Sequence, residues 1–186
     1  MLPSPFSKLS LTSEKKRTII SLLLLIAIIG LMRYFDAPLK NETCQKGIVS
    51  FELAKDLVVT KNIISSWDEK AKLSAYSSLI LDFLFLMVYA TFIGLLIHKI
   101  VKRMKENSFV SKIGVLLIWG VFLAALFDVI ENIALLNLLS GNLNQVWSSA
   151  AYYFAVLKFA LIFGCIVYIL IGWLLILISK FKLKYL

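Results

Sequence analysis

Four stretches of this sequence are at once too long and too apolar to face water, and they constrain everything else about the fold. The first covers about residues 18–35, and its centre from Ser21 to Met32 reads SLLLLIAIIGLM without one charge. The others cover about residues 75–98, 111–138 and 149–179. Crossing the hydrocarbon core of a bilayer takes about 20 residues of apolar helix, a form that satisfies every backbone N–H and C=O within the segment. Hydrophobic residues make up 60% of the chain, against roughly 45–50% in soluble domains, which assigns all four runs to lipid rather than to a water-soluble core. The expected fold is all-α, a four-helix transmembrane bundle forming a single membrane domain over residues 1–186.

The net charge of +9 does not indicate nucleic acid, because the basic residues flank the spans instead of sharing one soluble face. Lys8, Lys15, Lys16 and Arg17 precede the first span; Lys99, Lys102, Arg103, Lys105 and Lys112 join the second to the third; Lys180, Lys182 and Lys184 follow the fourth. The connection from Ser140 to Ser148 has none. By the positive-inside rule this pattern predicts both termini on the cytoplasmic side of a plasma membrane. The first span resembles a signal peptide in its basic and apolar regions. Its exit, from Arg33 to Pro38, lacks a small-residue cleavage pattern, so an uncleaved anchor is expected.

Redox and metal chemistry fail on inventory. Cys44 and Cys165 form no C-x-x-C pair, and His98 is the one histidine, too few for a bis-histidine haem site. No cofactor and no metal are expected. His98, beside Lys99 at a span end, reads as an interfacial residue. The long connection from Asp36 to Ser74 is predicted to hold an amphipathic helix: between Val49 and Trp67, the residues Leu53, Leu57, Thr60, Ile64 and Trp67 recur at helical spacing. Glu52, Lys55, Asp56 and Lys61 occupy the rest of the wheel. Such a helix would lie along the outer interface as a lid, with Trp67 at headgroup level. Asn41-Glu42-Thr43 has the form of a glycosylation sequon.

Ionisable groups inside apolar spans are costly to bury and mark functional sites by default. Here they are Asp82, Asp128, Glu131 and Lys158, accompanied by Asn132. With about 1.5 Å of rise per residue, all four charged groups fall roughly 10–15 Å below the outer ends of their helices. Three helices thus bring polar groups to one level. Asp128, Glu131 and Asn132 stand at i, i+3 and i+4 on one helical face, which Leu135 and Leu139 continue. Lys158 can neutralise one carboxylate, so one or two protons, a cation or a ligand amine must complete the site. Tyr89 shares the Asp82 face and reads as a core tyrosine satisfied by a backbone carbonyl, and Tyr152 and Tyr153 as interfacial aromatics. Arg33 and Asp36 either reach the rim of this site or extend to the headgroups.

The stretches GIVSFELA (Gly47 to Ala54), LDFLF (Leu81 to Phe85) and FDVIENI (Phe127 to Ile133) resemble a pattern in uncharacterised bacterial four-span integral membrane proteins. That resemblance implies a bacterial inner membrane and draws attention to Asp82, Asp128, Glu131 and Asn132. In layout alone, the chain is also similar to the EXPERA family of sterol isomerases and sterol-binding proteins. That likeness implies an acid, Asp82 or Glu131, that holds a cationic amine or moves a proton.

Three functional classes follow. The leading expectation is a protein that binds a lipid or small amphiphile at the intramembrane cluster, with membrane lipids as its surroundings. The second is a lipid-modifying enzyme using Asp128 or Glu131 as general base. The third is a membrane scaffold whose polar residues only hold its own helices together. Oligomeric state is open.

Overall fold

The computed structural model describes residues 3–105 and 108–184, with side chains as far as Ser179. Lys180, Lys182 and Lys184, counted above in the basic tail, therefore have side chains outside the described residues. Six helices follow in order: α1 (Leu11–Asp36), α2 (Ile48–Glu52), α3 (Leu57–Ser65), α4 (Glu69–Val101), α5 (Phe109–Leu139) and α6 (Gln145–Lys184). A 3-10 turn, Ala37–Leu39, extends α1. No strand occurs among the described residues. α1, α4, α5 and α6 are each long and apolar enough to cross a membrane, so the chain is a multi-pass integral membrane protein.

The spanning helices begin earlier than their apolar runs because caps in the polar flanks start them. Ser10 accepts from the Ser13 N–H, Asp68 from the Ala71 N–H at 2.7 Å, and Ser108 from the Ser111 N–H at 3.2 Å. α5 lies between α4 and α6, while α1 packs chiefly along α4. Two apolar cores result. One, at the connection end, joins Leu39, Phe51, Ile63, Trp67, Leu79 and Leu135; the other, at the terminal end, joins Phe6, Leu95, Ile97, Ile100, Ile118 and Val121.

The long connection is helical, as predicted, but in two pieces. Lys55 adopts a left-handed backbone (φ 55°), and Gln145 at the start of α6 holds the break: its Oε1 accepts from the Leu57 N–H at 2.9 Å and its Nε2 donates to the Lys55 carbonyl at 3.0 Å. The break re-phases the wheel, so Phe51, Ala54, Thr60 and Ile63 are buried while Leu53 is exposed. Trp67 is not at headgroup level. It is buried edge-on against Phe51, and its indole N–H donates to the Leu39 carbonyl at 3.0 Å.

The terminal end also departs from expectation. His98 is buried rather than interfacial, because the segment before α1 folds over it. Ser4 Oγ meets His98 Nδ1 at 3.0 Å, and Phe6 packs on the rings of His98 and Phe122. Gly94 permits this, since a Cβ there would stand 2.9 Å from the Phe6 ring.

Candidate functional site

Between the two apolar cores lies a polar layer assembled by three spans and the lid. α5 presents Asp128, Glu131 and Asn132 on its buried face, with Glu131 at 0% exposure. α4 contributes Asp82 and Tyr89, and α6 contributes Lys158, all buried. The five candidate residues Asp82, Asp128, Glu131, Asn132 and Lys158 therefore lie in one cluster, together with Tyr89. The Lys158 ammonium donates to Asp128 Oδ1 at 2.8 Å and stands 2.7 Å from Glu131 Oε2. Asn132 Nδ2 donates to Asp82 Oδ2 at 2.6 Å. Tyr89, expected to meet a backbone carbonyl, instead donates its hydroxyl to Asp128 Oδ2 at 3.0 Å, because two helical turns separate it from Asp82 and α5 presents Asp128 there.

Asp128 thus has a donor on each oxygen. Glu131 does not: its approach to Lys158 is an ion-pair contact without an aligned hydrogen bond, and neither oxygen has a hydrogen-bond donor among the described residues. A buried polar atom without a partner is costly and calls for an explanation.

The explanation comes from the lid, and from a residue the sequence reading placed on the solvent face. Glu52, the last residue of α2, is half-buried, and its carboxyl interacts with Glu131 at the edge of the layer. Two carboxyls can share such a contact only when a proton lies between them. Burial pushes the Glu52 carboxyl above the ordinary carboxylate range; Lys158 opposes that rise, and the charges of Asp128 and Asp36 add to it.

Asp36 aims the lid. Its Oδ1 accepts from the Ile48 N–H at 2.7 Å, which fixes the start of α2, and its other oxygen pairs with Lys40 at 3.0 Å. Gly47 lies over that carboxylate with φ 59°, and any Cβ there would collide with it. Asp36 therefore does not join the cluster directly. Arg33 is exposed. Lys55 stacks over Tyr152 and Tyr153 at 5.4 and 5.8 Å, at the connection end where belt aromatics were expected.

The layer then holds four carboxyl groups, Glu52, Asp82, Asp128 and Glu131, around one lysine. In a medium of low dielectric, four such groups cannot all be ionised against one ammonium. Protons, or a cation supplied from outside the chain, make up the difference. Among the described residues, no group of three or more His, Cys, Asp or Glu side chains has an arrangement that could hold a metal ion. No family model, curated protein or solved structure matches the chain.

Proposed function

We propose that the protein binds a lipid or small amphiphile between its helices, with a polar or cationic head received by the acid layer. The observation that carries this reading is the surplus of three carboxyl groups over the one lysine of the layer, with three of the four carboxyls buried and the fourth, half-buried, delivered by a lid. A groove of about 210 Å³ between α1 and α4 offers a way in from the lipid side. Ile29, Met32 and Phe85 line it, with Arg33 and Asp36 at its mouth. Ser78 and Phe85, both on this groove, stand four residues before and three after Asp82 on α4, so a tail held there brings its head beside the layer. Native mass spectrometry of the detergent-purified protein tests the reading: a bound amphiphile of defined mass should survive ionisation, and a bare protein under conditions that spare other lipid complexes would count against it.

A second reading is a lipid-modifying enzyme: both Asp128 oxygens are taken, so Glu131, the carboxyl that shares a proton with Glu52, would be its acid–base group. A scaffold whose polar residues serve only as interhelical glue needs one carboxylate per lysine and leaves the excess without a role.

We further place both termini on the cytoplasmic side of a bacterial plasma membrane, because the terminal end carries the basic flanks and the connection from Ser140 to Ser148 has no cation. A cysteine introduced at Asn142 should react with an impermeant thiol reagent from outside intact cells, and one at Ser108 should not. Reversed labelling overturns the orientation.

A further inference from the structure

The seam between α1 and α4 carries another groove, at the terminal end, which the proposed function does not use. Its volume is about 370 Å³. Ile20, Ser21 and Leu24 of α1 face Met87, Val88 and Thr91 of α4 across it, and Arg17 lies at its mouth. The two hydroxyls in its walls are turned to their own helices: Thr91 Oγ1 donates to the Met87 carbonyl at 2.8 Å and Ser21 Oγ to the Thr18 carbonyl at 3.1 Å. With those groups satisfied, the trough offers hydrocarbon surface, and in a bilayer the molecule at hand to fill it is an acyl chain.

The mouth selects the head. Arg17 is exposed and makes no ion pair among the described residues. The same terminal end carries Lys8, Lys15, Lys16, Lys99, Lys102, Arg103, Lys105 and Lys112, while its one described carboxylate, Glu14, is already taken by Lys102 at 2.6 Å. A guanidinium with its planar fork free, in a basic surround beside an apolar trough, matches a phosphodiester at headgroup depth. We propose that this groove is a binding site for an anionic phospholipid, with one acyl chain in the trough and the phosphate on Arg17.

The test compares phosphatidylglycerol with phosphatidylcholine of the same acyl chains, added to the purified full-length protein in detergent and read by native mass spectrometry. Phosphatidylglycerol should be retained in preference. Arg17→Gln should lower its retention by more than about tenfold, the loss expected when a charge-assisted hydrogen bond to the phosphate is removed. Thr91→Phe, which fills the trough, should lower retention of both lipids. Lys16→Gln, one residue away but not on the groove, should lower retention by about fivefold at most, the diffuse contribution of one basic residue at the membrane surface. Equal losses in Arg17→Gln and Lys16→Gln would mean that diffuse charge attracts the lipid, and would overturn the site. Undiminished phosphatidylglycerol binding in Thr91→Phe, or no preference between the two lipids in the native protein, would overturn it as well. Arg17 is exposed, so its variant decides the matter even if the Thr91 variant folds poorly.

Discussion

Two buried ionic sites in this molecule can be set side by side. At the terminal end Glu14 pairs with Lys102, one acid to one base, with the lysine side chain 34% exposed. In the polar layer Lys158 is buried among four carboxyl groups, and both residues it contacts, Asp128 and Glu131, are buried too. The first arrangement is what a structural ion pair requires: charges balance, and water screens what remains. The second is unbalanced where imbalance costs most. Tying helices together does not need three extra acids, and this difference is the reason for assigning the layer a ligand.

The largest effect is expected at Lys158. Lys158→Met leaves buried acids with no cation, and the protein should lose about 3–5 kcal/mol of stability, the range for removing one partner of a buried ion pair. Thermal unfolding in detergent reads this loss. A melting temperature equal to that of the native protein would show that the layer is already protonated throughout and that Lys158 does not hold it.

A middle-sized effect is expected at the lid. The Glu52 carboxyl, raised by burial, binds its proton more tightly in the folded state than in the unfolded one. Its contribution is therefore complete below the ordinary carboxylate value of 4.5 and is lost as pH rises through the higher folded value. Stability measured across a rising pH series should fall, and Glu52→Gln, which keeps a neutral hydrogen-bonding group, should flatten that slope. A slope unchanged by Glu52→Gln would separate the lid from the layer.

The smallest effect belongs to the reference site. Lys102→Met should cost about 1–3 kcal/mol, less than Lys158→Met, because Glu14 is buried but its partner is partly exposed and water can take the place of the lysine. Added salt should shrink the difference further. A loss as large as that of Lys158→Met would remove the distinction between the two sites.

The spans were legible because a run such as Ser21 to Met32 has no stable place outside lipid. The acids on α4 and α5 and the lysine on α6 were legible for the same reason, since each interrupts an apolar helix whose phase is fixed by its neighbours. Glu52 was not. Its direction depends on the Gly47 turn pinned by Asp36 and on the break at Lys55 held by Gln145, contacts between residues up to 90 positions apart. A continuous wheel from Val49 to Trp67 put Glu52 outside and Trp67 at the surface, and both assignments fail at that break. The one local hint was an acid set among apolar neighbours in Phe51-Glu52-Leu53. His98 was misplaced for a similar reason, as nothing near it in sequence announces that Ser4 and Phe6 cover it.

If the surplus carboxyl groups serve a bound molecule, removing their charge one at a time releases it. Glu131→Gln and Asp128→Asn preserve size while removing one charge, and each leaves Lys158 the other carboxylate as partner, so both variants should fold. Measured together, detergent melting temperature and the mass of copurified amphiphile decide the question. Near-native melting with the amphiphile lost from both variants is the expected result; near-native melting with its content unchanged in both would show that the acid layer holds no ligand.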